Sequence, residues 1–105
     1  MIDTDKVKRL INERQQLLPD DPRTDEIWEE LTRIFSKSED DTIYFIRNCD
    51  ENELEWISEV FEDVSKNLQS HEFIQVLEQL NNKYPHLKLE MDINFAKKAI
   101  KDHDT

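Results

Sequence analysis

Carboxylate side chains are the groups in this chain whose spacing could support chemistry. Two short runs each place three acids within about one helical turn of one another. They are Glu26, Glu29 and Glu30 in the first run, and Glu59, Glu62 and Asp63 in the second. Two such helices facing each other could hold Mg²⁺ ions and support hydrolysis of a nucleotide. Apolar residues occupy the inward positions of both helices, so we expect these acids to face water instead.

No other pattern of residues points to a catalytic or metal site. The chain has no glycine, so it has no glycine-rich phosphate loop, and its three histidines stand far apart. The run Asp50-x-Asn52 begins like a calcium loop but lacks the central glycine. We interpret Cys49, the single cysteine, as a small apolar residue near a helix end. We therefore predict no catalytic residues, no metal ligands, no cofactor and a protein that is not an enzyme.

Negative charge is concentrated in the middle of the chain. The net charge is −11, and residues 20–63 carry sixteen acidic and four basic side chains, which gives −12. Residues 1–19 carry a net charge of +1, and residues 64–105 carry none. A field of this sign repels nucleic acid and anionic membranes, and it speeds the encounter with a basic partner. The charge alone is equally consistent with plain solubility.

Hydrophobic periodicity predicts six helices. Apolar residues recur at three- and four-residue steps, and the glycines that hairpin turns use are missing. The predicted helices cover 4–18, 24–36, 38–49, 50–68, 70–84 and a last segment from about 90–92 to 100. Thr24, Ser38, Asp50 and Ser70 are the expected capping residues, and Arg14 stands at an inward position of the first helix. The stretch 87–93 alternates like a strand but has no partner strand, so we interpret its first part as an extended connection. The predicted fold class is all-α, a compact antiparallel bundle or short α–α stack of five to six helices.

Length and composition predict a single domain over residues 1–105, frayed in its first few residues and in the tail 102–105. No apolar run approaches the roughly 20 residues of a membrane span. The first residues lack the apolar core of a secretory signal, and one cysteine permits no intrachain disulfide. We expect a cytoplasmic protein without membrane contact.

The stretch from Asp50 to Leu68 is the main candidate for contact with a partner. Asp50 and Glu53 have the spacing of a capping box, and the helix that follows has a buried stripe opposite an acidic one. Trp56 stands on the flank beside Val60, and it either packs into the core or anchors a partner inside a polar rim. Glu59 and Glu62 are expected to face water, so reversing both to Lys should leave the fold intact and weaken binding to a basic partner. The predicted partner-binding residues are Asp40, Asp41, Tyr44, Glu55, Trp56, Glu59, Glu62 and Asp63.

Several stretches together share the character of one family of proteins. They are Leu18–Arg23 leading into Ile27–Leu31, the run Trp56–Val64, and Leu87-x-Leu89 followed by Asp92-Ile93 and Ala96-x-x-Ala99-Ile100. In these stretches the chain resembles the small acidic all-α immunity proteins of bacterial polymorphic and contact-dependent-inhibition toxin systems. The resemblance implies a stoichiometric inhibitor that binds the toxic domain of its cognate effector and blocks its active site. Many such domains are nucleases, whose basic clefts suit an acidic surface.

Two other functions stay open. The alternative is an acidic adaptor or nucleic-acid mimic that regulates a basic partner, and the third hypothesis is a Mg²⁺-dependent all-α nucleotide hydrolase. A toxin gene beside this one would favour the immunity function, whereas a regulatory operon would favour the adaptor. Both binding functions predict a basic protein partner and no direct contact with nucleic acid. The sequence leaves open the oligomeric state and whether the interface lies on 51–68 or on the acidic segment 20–30.

Overall fold

The structure is a computed structural model that describes residues 1–101, so the predicted frayed tail at 102–105 lies outside the described residues. Residues 1–101 form α-helices joined by short connections, without any strand, which confirms the all-α prediction. The helices are α1 (Thr4–Gln15), α2 (Pro22–Phe35), α3 (Glu39–Asn48), α4 (Glu51–Ile57), α5 (Phe61–Leu68), α6 (His71–Lys83) and α7 (Glu90–Lys98). None of these helices is long and apolar enough to cross a membrane.

The apolar stripes of the helices meet in one core. α5 packs along α7, α1 lies against α2 and α4, and α3 lies against α6. All seven helices contribute side chains with less than 2% of their surface exposed, with Ala96 from α7. The larger of these side chains are Val7, Leu31, Phe35, Ile46, Leu54, Val60, Phe61, Val64, Phe73, Val76, Leu77 and Leu89. The rings of Phe61 and Phe73 meet edge to face with centroids 6.2 Å apart, a favourable aromatic geometry. A buried hydrogen bond also joins α5 to α7 in this core: Ser65 Oγ donates to the carbonyl of Ala96 at 2.6 Å.

Polar side chains cap the helix starts, and one predicted cap is wrong. Thr24 was the expected cap of α2, but the helix begins at Pro22 with Asp21 as its cap, whose carboxylate accepts from the Arg23 N–H at 2.9 Å. Proline suits the first helical position because the N–H that it lacks has no partner there. Thr24 is fully buried instead and donates to the Leu18 carbonyl at 2.9 Å. α1 accordingly ends at Gln15, and Leu18 is 72% exposed.

The predicted continuous helix 50–68 is bent. A 3₁₀ turn over Ser58–Val60 separates α4 from α5, and Val60 leaves the helical region with φ −114° and ψ 9°. The Ser58 hydroxyl donates back to the Glu55 carbonyl, a contact that competes with the regular helical hydrogen bonds. The tighter turn rotates Val60 into the core, where it is fully buried rather than on the flank. The bend also sets the direction of Glu59.

Two connections require a left-handed backbone in a chain without glycine. Gln69 (φ 50°) ends α5, and Lys88 (φ 55°) precedes α7. A residue with a Cβ is strained in this region by about 1–2 kcal/mol. Gln69 compensates with its side chain, which donates to the Ala99 carbonyl at 2.8 Å and accepts from the Lys101 N–H at 2.7 Å. The side chain of Lys88 is exposed.

Glycine at position 88 should therefore stabilise the protein. We expect Lys88→Gly to raise the free energy of unfolding by about 0.5–1 kcal/mol, because glycine removes the strain of the left-handed backbone. The matched control is Gln79→Gly on the exposed side of α6, which should lower it by about 0.5–1 kcal/mol. Urea unfolding monitored by circular dichroism measures both. A loss of stability in Lys88→Gly equal to that in the control would contradict the backbone assignment.

Candidate protein-interaction site

A buried arginine binds Glu59 and joins three helical segments. Arg14 of α1 is 5% exposed, and its Nε and Nη2 each donate to a carboxylate oxygen of Glu59 at 2.8 Å. Its Nη1 donates to the Leu17 carbonyl at 3.1 Å. The guanidinium carbon lies 5.6 Å from the ring centroid of Trp28 and 5.1 Å from that of Trp56. The bidentate hydrogen bonds to the carboxylate and the contacts with two aromatic rings both stabilise the charged guanidinium at this buried position.

This cluster corrects the prediction for Glu59. The side chain is 28% exposed, and besides Arg14 it accepts a hydrogen bond from Trp28 Nε1 at 2.9 Å. Glu59 is exposed as predicted, but both oxygens of its carboxylate are bound within the protein, so its reversal is expected to cost stability. Trp56 is half-buried beside the core, with Arg14 over its ring. Trp56 thus packs against the core, as one of the two alternatives predicted, and its ring also contacts a buried cation.

Neutralising Glu59 should destabilise the fold. We expect Glu59→Gln to lower the free energy of unfolding by about 2–4 kcal/mol, because Arg14 would keep its buried charge without a counter-charge. Glu62→Gln, an exposed acid one turn later, should change it by less than about 0.5 kcal/mol. Chemical denaturation of the two variants measures the difference. Equal stability of both variants would show that the ion pair contributes nothing.

Three of the predicted contact residues line one cleft between the start of α1, α3 and the start of α4, called here the Tyr44 cleft. Its volume is about 670 Å³, and it is lined by Met1, Ile2, Thr4, Lys8, Asp40, Asp41, Tyr44, Phe45, Asn48, Cys49 and Glu53. The Tyr44 side chain is 72% exposed, whereas Phe45 is buried. Asp41 lies 3.1 Å from the amino group of Met1, and Asp40 has no ion pair within residues 1–101. An aromatic ring, an apolar wall and carboxylates thus share one concave surface.

The cleft wall at Cys49 is partly buried and held by a helix cap. Burial raises the pKa of the Cys49 thiol to about 12, and the nearby carboxylates of Glu53 and Asp50 add to the increase. The thiol donates to the Ile46 carbonyl at 3.4 Å. Next to it the capping box of α4 closes, since Asp50 accepts from the Glu53 N–H at 2.8 Å and Glu53 accepts from the Asp50 N–H at 3.1 Å. The α3–α4 connection is therefore fixed on this side of the cleft.

The Cys49 thiol should be unreactive in the folded protein. At about pH 8 we expect iodoacetamide to modify this thiol more slowly than free cysteine by a factor of about 100 or more, because the raised pKa leaves very little thiolate. Mass spectrometry of samples quenched over time measures the rate. Unfolding in guanidinium chloride should restore the rate of an ordinary thiol. A fast reaction in the native protein would contradict the burial of this wall.

The remaining predicted residues lie outside the Tyr44 cleft. Asp63 lines a second groove, between α2 and α5, together with Asp25, Trp28, Glu29 and Lys66 among others. Acids of the 20–30 segment and of the 51–68 segment therefore flank one groove. Glu55 and Glu62 are exposed and form no ion pair within residues 1–101. The predicted set is thus divided between the cleft, the groove, the Arg14 cluster and open surface, and does not form one patch.

The two runs of acids proposed as magnesium ligands are partly neutralised within the protein. Glu30 binds Arg33 and also Lys6, whose Nζ lies 2.7 Å from its carboxylate. Hydrogen bonds first from Arg33 and then from Lys6 lower the pKa of Glu30 to about 2. Glu59 is bound to Arg14. Among residues 1–101 no group of three or more His, Cys, Asp or Glu side chains is arranged to hold a metal ion.

Sequence reasoning missed two features of this region. It placed Arg14 inward but found no partner for it, although a buried arginine requires an acid. Glu59 is 45 residues away in the chain, and helix phase put it on the wet face. It also treated Glu53 only as a capping acid, whereas Glu53 is 8% exposed and lines the Tyr44 cleft.

Comparison with protein families, curated proteins and solved structures found no match to this chain. The likeness to immunity proteins therefore stays a prediction from the residues.

Proposed function

We propose that this chain is an immunity-type inhibitor that binds the basic toxic domain of a bacterial effector through the Tyr44 cleft. The observation that carries the proposal is the 72% exposure of Tyr44 beside buried Phe45, in a cleft whose rim holds Asp40 and Asp41. An exposed aromatic side chain over an apolar wall and inside a charged rim has the composition of a protein-binding hot spot.

Charge supports a basic partner. The segment 20–63, which contributes α2, α3 and the α4–α5 bend, carries a net charge of −12. Within this segment Arg33 is bound by Glu30 and Arg23 by Asp21 at 2.9 Å, so two of its four basic side chains are already paired. A basic domain approaching from solution would be steered by the negative field of this segment.

The mode of inhibition follows from the shape of the partner. A nuclease presents a basic cleft to the phosphates of its substrate. An acidic protein that occupies this cleft competes with the substrate, and association is fast at low ionic strength. The apolar contact around Tyr44 would then slow dissociation, because water is excluded from the charged rim.

Substitutions in the cleft should weaken binding more than a matched substitution in the α2–α5 groove. The binding partner to test is the toxic domain encoded beside this chain, with affinity measured by calorimetry at about 50 mM and about 200 mM salt. We expect Asp40→Lys and Tyr44→Ala each to raise Kd by at least about tenfold. Asp63→Lys, an exposed acid reversed on the groove, should raise it by less than about threefold.

Two results would count against the proposal. No binding by the unaltered chain at the lower salt concentration would contradict the function. A larger effect of Asp63→Lys than of Asp40→Lys would place the interface on the groove. Inhibition of the toxic activity in the same samples separates an immunity protein from an adaptor, which would bind without inhibiting.

A further inference from the structure

Glu53 carries a buried carboxylate oxygen without a partner. The residue is 8% exposed and sits in the first turn of α4. Its Oε1 accepts from the Asp50 N–H at 3.1 Å, which completes the capping box. Its Oε2 exposes less than 1 Å² and has no hydrogen-bond donor among residues 1–101. Nearly all buried polar atoms in proteins are hydrogen-bonded, so this oxygen needs an explanation that the capping box does not give.

The surroundings of Glu53 suit a cation. Glu53 lines the Tyr44 cleft together with Asp40 and Asp41, and Lys8 is the only lysine or arginine in its lining. Lys8 is exposed and forms no ion pair within residues 1–101. The final torsion of a glutamate is broad, so a small rotation can turn Oε2 towards an incoming donor while the carboxylate keeps its hydrogen bond to Asp50.

We propose that Glu53 accepts a hydrogen bond from an arginine side chain of the protein partner that enters the Tyr44 cleft. This inference rests on the proposed function, because the arginine belongs to the basic partner. The planar guanidinium donates to the Glu53 carboxylate, and its flat face stacks on the ring of Tyr44. Its aliphatic stem packs on the apolar wall at Phe45. Asp40 at the rim adds a second negative charge.

Arginine fits this cleft better than lysine does. A guanidinium is more weakly hydrated than an ammonium group, so it loses less on entering an apolar cleft. It also offers several N–H donors in one plane, so one side chain can meet a buried oxygen and a rim carboxylate together. A phosphate or another anion would be repelled by the three carboxylates that line the cleft.

The test uses two probes of nearly the same shape, only one of which carries a guanidinium. The first is the capped peptide acetyl-Leu-Arg-Leu-amide, and the second carries citrulline, the neutral isostere of arginine, at the same position. In nitrogen-15 NMR spectra of the whole chain we expect the arginine peptide to shift the amide signals of 44–45 and 49–54. The citrulline peptide should bind at least about tenfold more weakly.

Variants then isolate Glu53. Glu53→Gln keeps an oxygen for the Asp50 N–H but removes the charge, and it should lower the affinity for the arginine peptide to that of the citrulline peptide. Glu72→Gln, an exposed acid at the start of α6, is the matched control and should change nothing. Lys8→Ala should strengthen binding of the arginine peptide, because it removes the competing positive charge. Unchanged melting of Glu53→Gln shows that the variant is folded.

Several outcomes would overturn the inference. These are equal binding of the two peptides, unaltered binding by Glu53→Gln, or signal shifts confined to the α2–α5 groove. Agmatine is a small guanidine that is not part of a peptide. If it binds as tightly as the arginine peptide, the cleft is a small-molecule site instead. If the toxic domain binds normally to Glu53→Gln, the arginine site fails while the proposed function stands. If the peptide binds but the toxic domain does not, the proposed function fails while the site stands.

Discussion

The ion pair between Arg14 and Glu59 is the interaction on which the arrangement of the helices depends. It joins α1 to the turn between α4 and α5, while Trp28 brings α2 to the same point. Taking the charge of Arg14 out of water costs several kcal/mol, so this buried arginine is tolerated only when its hydrogen bonds are nearly complete. Here the two-point hydrogen bonds, the Leu17 carbonyl and the two indole rings stabilise it.

This interaction decides which acids are left for a partner. Glu59 is used within the protein, and both tryptophans of the chain contact Arg14. The large aromatic side chain that remains mostly exposed near the acids is Tyr44. The proposed contact surface accordingly moves from the 50–68 stretch to the cleft that α3 forms with α1 and α4. The ion pairs within the protein show which acids remain available to a partner, and the total charge does not.

Much of the fold could be predicted from the sequence because it depends on local patterns. The 3.6-residue period of apolar residues located the helical segments, with α4 and α5 as one, and Ser38, Asp50 and Ser70 cap helices where their residue types indicated. The bend at Ser58–Val60 was missed because Leu54, Ile57, Phe61 and Val64 fit one uninterrupted helical stripe. The turn keeps that stripe buried and adds Val60 to the core, an arrangement that depends on the neighbouring helices.

The candidate site was less predictable because it depends on long-range packing. The sequence predicted Tyr44, Asp40 and Asp41 as contact residues, but not that the start of α1 lies across from them. Nor does the spacing of residues along the chain show that one oxygen of Glu53 is buried without a donor. Such features arise where three segments meet, and each segment alone has an ordinary amphipathic pattern.

A double-mutant cycle on Arg14 and Glu59 tests the central claim most directly. The free energies of unfolding of the unaltered chain, Arg14→Met, Glu59→Gln and the double variant give the coupling between the two side chains. A structural ion pair predicts a coupling of at least about 2 kcal/mol, with the double variant more stable than the sum of the single losses implies. Losses that add to within about 0.5 kcal/mol would contradict it. Glu59 would then again be a candidate for contact with a partner.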